Sequence, residues 1–289
     1  MILLVGWFLL SLFTLEAQAE PYRFSHLSME EGLSSNSVFC MVQDRYGFMW
    51  FGTFSGLSRY DGKNFTVYRP EPEDPHSLTA SVIFALLEDS FGDLWVGTDG
   101  GGLNRFDRET EKFHAFRHDP NNPMSIASDQ VFALLEDRMG WLWVGTGGSG
   151  LDRYDRVRNR FFHYRKDPTP GSLPSDTVRC LLEDRQGTIW VGTAGGGLAR
   201  YDPEKDRFNR SLEGLTIRAL FQDSKGNLWV GTEQQGAFVK YLRNDSFEHF
   251  LSHTTVRAIM EDDNGRIWLG TDSEGIVVHD SRSKALTWF

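Results

Sequence analysis

A tryptophan stands two residues before Gly-Thr six times in this chain, at Trp50, Trp95, Trp143, Trp190, Trp229 and Trp268. Successive copies lie 45, 48, 47, 39 and 39 residues apart. A period of that size marks a repeat architecture, in which each unit buries its apolar faces only against its neighbours. Every later reading is subordinate to it. A residue that recurs at one register in all repeats is first a structural residue, because a functional site is needed only once.

The third repeat shows what one unit contains. Residues 131–137 (Val-Phe-Ala-Leu-Leu-Glu-Asp) have the length and composition of a strand, a. Asp137 and Gly140 then form a turn, the Asp bonding the backbone ahead of it and the Gly accepting a positive φ. Residues 141–144 read as strand b, and a glycine-rich turn over 145–150 leads to strand c at 151–155, whose apolar residues alternate in period two. Residues 161–164 complete the unit as strand d. The Asp-x-x-Gly turn is present in all six copies, at Asp44, Asp89, Asp137, Asp184, Asp223 and Asp262.

Four short strands per unit of this length predict an all-β fold, a β-propeller. A lone four-stranded sheet cannot cover both its faces, whereas ringed sheets cover each other. The six tryptophans are read as the side chains that fill the gaps between blades, each removing roughly 150–250 Å² from water. The propeller spans 20–289, with repeats at about 33–70, 79–118, 128–166, 175–211, 214–250 and 254–289. The sixth repeat supplies its own strand d at 286–289. Residues 22–27 alternate aromatic and polar side chains, like an additional outer strand with no blade of its own. Such an orphan closing strand predicts an incomplete seven-bladed ring. The alternative is a closed six-bladed ring with residues 22–27 along an edge.

The residues also carry a family resemblance. Gly32-Leu33-Ser34-Ser35-Asn36-Ser37-Val38, then Gln43-Asp44-Arg45-Tyr46-Gly47-Phe48-Met49-Trp50-Phe51-Gly52-Thr53, then Gly56-Leu57-Ser58-Arg59-Tyr60-Asp61-Gly62 resemble the two-component regulator propeller family. So does the linker Asp119-Pro120-Asn121-Asn122-Pro123-Met124-Ser125-Ile126. The resemblance covers residues 22–289. It implies a periplasmic or extracytoplasmic ligand-sensing module, anchored at the inner membrane in its full-length form. It also implies a downstream β-sandwich and an output domain, a histidine kinase or a diguanylate cyclase, and an oligosaccharide or other small molecule as ligand. The alternative is a non-catalytic propeller that contacts another protein or, as a homodimer, a copy of itself.

Composition agrees with an exported domain. The chain has 30 Lys+Arg against 40 Asp+Glu, a net charge of −10, which argues against a nucleic-acid binder, since that needs a basic face. Residues 2–15 form an apolar run interrupted only by Gly6, Ser11 and Thr14, and Ala17-Gln18-Ala19 matches a small-x-small cleavage pattern. Residues 1–19 therefore read as a signal peptide, the run being short of the ~20 residues a bilayer span needs, although no Lys or Arg precedes it. An uncleaved anchor is the alternative. Cys40 and Cys180 share one register in strand a, three repeats apart, too distant for the ~7 Å limit of a disulfide.

Several motifs dissolve against the repeat. Gly145-Thr146-Gly147-Gly148-Ser149-Gly150 fits G-x-G-x-x-G but leads into a strand rather than a helix. The pairs Glu88-Asp89, Glu136-Asp137, Glu183-Asp184 and Glu261-Asp262 recur at a fixed register and belong to the turns. The eight histidines are scattered, and His114 and His118 lack a completing ligand, so no metal or other cofactor is expected. Only Asp263-Asn264-Gly265-Arg266-Ile267-Trp268 has the spacing of a sialidase-type Asp-box, and no histidine is marked out as in a propeller lyase. A glycosidase or lyase is therefore the weaker alternative, no catalytic residue is assigned, and this part of the protein is read as no enzyme.

Function is sought where the repeats differ. The connections at 69–81, 117–130 and 165–177 are long and carry Ser77-Leu78, Ser125-Ile126 and Ser172-Leu173. They read either as a raised wall over half of one face or as spacers whose Leu or Ile packs on a blade. The second residue of strand a is Phe39, Phe84 and Phe132 in repeats one to three, and Arg179, Arg218 and Arg257 in repeats four to six. Strand a is innermost in a propeller, so these six residues are the candidate ligand-binding set. Aromatic faces stack on sugar rings and guanidinium forks grip carboxylates or sulfates. The structural alternative has them between blades, each arginine paired to an acid.

Overall fold

A computed structural model of the chain describes residues 25–244, 246–280, 283 and 285–289. Among the described residues twenty-four strands form six antiparallel four-stranded sheets, each in sequence order. Blade 1 comprises β1 (Val38–Gln43), β2 (Met49–Thr53), β3 (Gly56–Tyr60) and β4 (Phe65–Tyr68). Blade 2 comprises β5 (Ile83–Glu88), β6 (Leu94–Thr98), β7 (Leu103–Asp107) and β8 (Lys112–Phe116). Blade 3 comprises β9 (Val131–Glu136), β10 (Leu142–Thr146), β11 (Leu151–Asp155) and β12 (Arg160–Tyr164). Blade 4 comprises β13 (Val178–Glu183), β14 (Ile189–Thr193), β15 (Gly197–Asp202) and β16 (Arg207–Ser211). Blade 5 comprises β17 (Ile217–Gln222), β18 (Leu228–Thr232), β19 (Ala237–Lys240) and β20 (Glu248–Leu251). Blade 6 comprises β21 (Val256–Glu261), β22 (Arg266–Thr271), β23 (Ile276–Asp280) and β24 (Leu286–Trp288).

The expected incomplete seven-bladed ring is corrected to six blades. The sixth sheet carries its own outer strand, β24, and all six inner strands, β1, β5, β9, β13, β17 and β21, border one axial cavity. Residues 25–27 form no strand, and residues 22–24 lie outside the described residues, as does the expected signal peptide at 1–19. Aromatic-polar alternation over six residues is compatible with any extended lead-in segment. It does not by itself demand a pairing partner. Among the described residues no helix is long and apolar enough to cross a membrane.

Each residue of the recurring motif has a mechanical task. In all six blades the turn Asp accepts the indole Nε1–H of the tryptophan six residues on, at 2.6–3.0 Å. Its other oxygen accepts backbone N–H groups within the turn, as Asp44 does from Tyr46 and Phe48. The motif threonine donates to the carbonyl of a glycine at the start of strand c, at 2.7–2.9 Å in every blade. The motif glycine lets neighbouring blades close. A Cβ on Gly145 would stand 2.6 Å from Cγ1 of Val178 on the next blade.

The cores lie between blades. Trp50 packs with Leu57 of its own blade and with Ile83, Leu94, Val96, Phe106 and Phe113 of blade 2, and Trp95 and Trp143 sit in equivalent clusters. Two of these interfaces are also clamped by an arginine. Arg108, in the turn after β7, reaches back to Asp44 at 2.7 Å and to Glu88 at 2.9 Å. Arg156, after β11, reaches Asp89 at 2.7 Å and Glu136 at 3.2 Å. At the seam between β21 and β1 the positions that pack the other interfaces are held by Met260 and Met41, which are 56% and 62% exposed.

Candidate functional site

The axial cavity, about 420 Å³, is lined by Phe39, Phe84, Phe132, Arg179, Arg218 and Arg257, with Val38, Cys40, Met41 and Ala258. All six residues singled out by register therefore face one space. They do so because the second residue of each inner strand sits at a β-bulge or register shift, as between Val38 and Cys40 or Val256 and Ala258. A bulge re-aims the side chain it displaces. The three phenylalanines form a continuous arc, with 5.1 Å between the centroids of Phe39 and Phe84 and 5.1 Å between Phe84 and Phe132. The Arg179 guanidinium continues it, 4.5 Å from the Phe132 ring centre.

The arginines are not equivalent, and the residue after each motif threonine decides this. In blade 5 it is Glu233, which pairs with Arg218 at 2.9 Å. In blade 6 it is Asp272, which grips Arg257 through both carboxylate oxygens. That pairing raises the Arg257 pKa and lowers that of Asp272. In blade 4 it is Ala194, and among the described residues Arg179 has no carboxylate within ion-pair distance. Burial, then the Arg218 charge, lower the Arg179 pKa, with the Glu233 charge opposing and Arg257 adding to the shift. The expectation that each arginine is paired holds for two of the three, and they pair while lining the cavity rather than between blades. Arg179 is a partly buried cation with no carboxylate paired to it among the described residues, the Glu233 charge acting on it only from beyond ion-pair distance.

The long connections are spacers rather than a wall. Leu78, Ile126 and Leu173 are fully buried in the inter-blade clusters. The carbonyls of His76, Met124 and Gly171 accept from the N–H groups of Phe113, Phe161 and Phe208, so the connections run along the outer strands. Trp50, Trp95, Trp143, Trp190 and Trp229 sit in the inter-blade clusters, whereas Trp268 of blade 6 is only partly buried and stacks on Phe289. Cys40 and Cys180 are unbridged thiols whose pKa burial pushes up to about 12. Among the described residues no cluster of His, Cys, Asp and Glu could hold a metal ion.

One polar device escaped the sequence reading. The second residue of strand c is Asp152 in blade 3, wholly buried, where the other blades have Ser58, Asn104, Ala199, Phe238 and Val277. Asp152 accepts from the Ala127 N–H at 2.7 Å and contacts His163 Nδ1 at 2.6 Å, and His163 Nε2 lies 2.9 Å from the Pro123 carbonyl. A carbonyl only accepts, so Nε2 carries a proton and the Asp152–His163 contact holds a second, shared one. The pair titrates as a unit. The hydrogen bond to Asp152 raises the His163 pKa, and burial raises that of Asp152, so both directions describe retention of that proton. A histidine raised above its ordinary 6.5 stabilises the fold fully below that pH, and the contribution is lost as pH rises through its folded value. We therefore expect the melting temperature to fall on going from about pH 6.5 to about pH 8.5, and His163→Gln to flatten that slope. Equal slopes in both proteins would show that the pair contributes nothing to it.

Six four-stranded blades around one aromatic and cationic cavity define a β-propeller domain. Sequence comparison specifies it further. The two component regulator propeller model matches at residues 32–55, 77–100, 125–148, 172–195, 211–234 and 251–273, and the chain belongs to that family. Histidine kinase P4 of Formosa agariphila is 39% identical over 66 residues, 23% of this chain and 5% of the kinase. The extracellular domain of the hybrid two component system BT3049 from B. thetaiotaomicron superposes with a TM-score of 0.84 at 26% identity, over 93% of this chain and 37% of that one. The extracellular domain of the one component system BT4673 from the same organism gives 0.75 at 21% identity, over 91% of this chain and 38% of that one, a likeness of fold. The chain thus spans a small part of the kinase and little more than a third of each extracellular domain.

Proposed function

We propose that the chain is the extracytoplasmic sensing propeller of a signalling protein, and that its axial cavity binds a small anionic ligand, a saccharide bearing a carboxylate or sulfate. The observation that carries the ligand reading is Arg179, which among the described residues has no paired carboxylate and lies over Phe132 at the end of an aromatic arc. A ligand anion would supply the missing charge, and the phenylalanines would receive the apolar face of a sugar ring. The likeness to an extracellular domain of a hybrid two component system supports the signalling role and the export. The family match supports a role as module rather than as enzyme.

A thermal-shift screen with matched neutral and acidic oligosaccharides tests this. A ligand at a hundredfold excess over its Kd stabilises by about 2.7 kcal/mol. Acidic sugars are expected to raise the melting temperature and neutral ones to do so less. Arg179→Gln is expected to remove the difference, and Arg257→Gln, already held by Asp272, to reduce it less. If acidic and neutral sugars respond alike in all three proteins, the electrostatic reading is wrong.

A second reading, a non-catalytic protein-protein interaction propeller, rests on a different observation. Met41 on β1 and Met260 on β21, at positions that pack the other blade interfaces, are both exposed, with Phe39 also 48% exposed. Exposed apolar patches of this kind mark contact surfaces. This reading needs no ligand, and the family match and structural likeness support it better than they support ligand binding. Met260→Glu, outside the residues that line the axial cavity, would weaken a partner contact there and leave saccharide binding at Arg179 intact.

A further inference from the structure

At the first two blade interfaces the space beside the tryptophan is filled by the chain's own guanidinium. Arg108 bridges Asp44 and Glu88 with its guanidinium 5.2 Å from the centre of the Tyr46 ring. Arg156 bridges Asp89 and Glu136 and lies 5.0 Å from the centre of the Phe91 ring. The third interface keeps both carboxylates and the tryptophan of this receptor but not the arginine, and Met139 stands where Tyr46 and Phe91 stand. Asp137 forms its turn and accepts from Trp143 Nε1 at 2.8 Å. Glu183 stands where Glu88 and Glu136 stand, and Arg138 holds it through backbone N–H and Nε as Arg45 holds Glu88. The residue at the bridging position, after Tyr201-Asp202, is Pro203.

What remains is a cavity of about 190 Å³ bordered by Asp137, Glu183, Trp141, Trp143, Met139 and Pro203. Among the described residues no cation lies within ion-pair distance of Asp137, which is half-buried where Asp44 and Asp89 are 4% and 2% exposed. Arg153 also borders the space but is committed to the rings of Trp141, Trp143, Phe162 and Tyr164. Its counterpart Arg59 is committed in the same way to Phe48, Trp50 and Tyr68 at the first interface, and Arg108 fits beside it. The fourth interface lacks the second carboxylate, since Gln222 replaces the glutamate. Only the third combines both carboxylates with an empty arginine position among these four.

We propose that this third interface is a binding site for a guanidinium group brought by a ligand from outside the chain. The two carboxylates at fixed separation match the guanidinium fork, and Met139 and the indoles cover its planar face, as Tyr46 and Phe91 do for the internal arginines. The guanidinium comes either on a small molecule or as an arginine side chain of a partner protein. The site is independent of the axial cavity.

Calorimetric titration of the full chain with N-acetyl-L-arginine amide, N-acetyl-L-lysine amide and an unstructured arginine-containing peptide tests this. Saturable binding of the arginine amide is expected, with the lysine amide at least about tenfold weaker because one ammonium cannot span both carboxylates. Pro203→Arg recreates the internal clamp. It is expected to abolish binding and raise the melting temperature. Asp137→Asn is expected to weaken binding about tenfold, the scale of one charge-assisted hydrogen bond. Because that substitution also disturbs the Trp143 contact, Pro203→Arg is the deciding variant. A peptide that binds more tightly than the amide identifies a protein source, and equal affinity a small molecule. Absence of saturable binding to the natural sequence, or undiminished binding to Pro203→Arg, would overturn the proposal.

Discussion

Arg156→Ala is expected to lower the unfolding free energy by about 3–5 kcal/mol, far more than an ordinary surface arginine would. Its guanidinium is 19% exposed and its partner Asp89 has a side chain with no exposure at all. Removing the cation leaves that carboxylate buried, with only the Trp95 indole and the N–H groups of its turn as donors. Glu136 keeps Ser90 N–H and Oγ but also loses its charge partner. The contrast is Arg158, two residues away, which is 64% exposed and pairs with Asp155. Although Asp155 is itself buried, it keeps the Arg158 backbone N–H and has Arg160 3.9 Å away, so loss of the exposed Arg158 side chain is expected to cost no more than about 1 kcal/mol. Urea denaturation of Arg156→Ala and Arg158→Ala separates the two cases. Equal losses would mean that the clamp between blades 2 and 3 carries no net stability.

The same comparison shows how much of this molecule could be read from its sequence. The blade was legible because its period lies in residues that never vary in kind: Asp, Gly, Trp, Gly and Thr each do one mechanical task in one blade, six times over. The axial residues were legible because strand a is innermost, so one register position in six repeats had to meet on the axis. The number of blades was misread because ring closure depends on how distant segments meet, and residues 22–27 looked like a strand on alternation alone. The pairing of Arg218 and Arg257 was invisible for a related reason. Their acids, Glu233 and Asp272, lie on the turn after strand b, and nothing in a linear reading shows that this turn reaches the axis. Arg108 and Arg156 do sit at one register, after Phe-Asp and Tyr-Asp, and comparing that position across repeats would have shown arginine in only these two, with Gly62, Pro203, Tyr241 and Ser281 in the others.

Trp95→Ala is expected to cost about 3–5 kcal/mol, the range for truncating a buried aromatic residue. The indole is 1% exposed, with its ring centre 5.5 Å from that of Phe116 and 5.9 Å from that of Tyr154 across the interface. Its Nε1 donates to Asp89 Oδ2 at 2.6 Å, the same oxygen that Arg156 Nη1 reaches at 2.7 Å. Two donors on one oxygen cannot contribute independently. In Trp95→Ala the vacated space admits water to Asp89, so the carboxylate is no longer desolvated and depends less on Arg156. The double variant Trp95→Ala/Arg156→Ala should therefore be less destabilised than the sum of the single losses, by about 0.5–3 kcal/mol. Trp95→Phe isolates the polar part, since it keeps most of the ring and removes only the donor, and should cost about 1–3 kcal/mol. The cycle is read by urea denaturation with the slope compared across variants, because a changed slope would signal blades separating before the ring unfolds. Strict additivity would show that indole and guanidinium act on Asp89 separately, and the interface would then be an apolar contact with an ion pair beside it rather than one coupled unit.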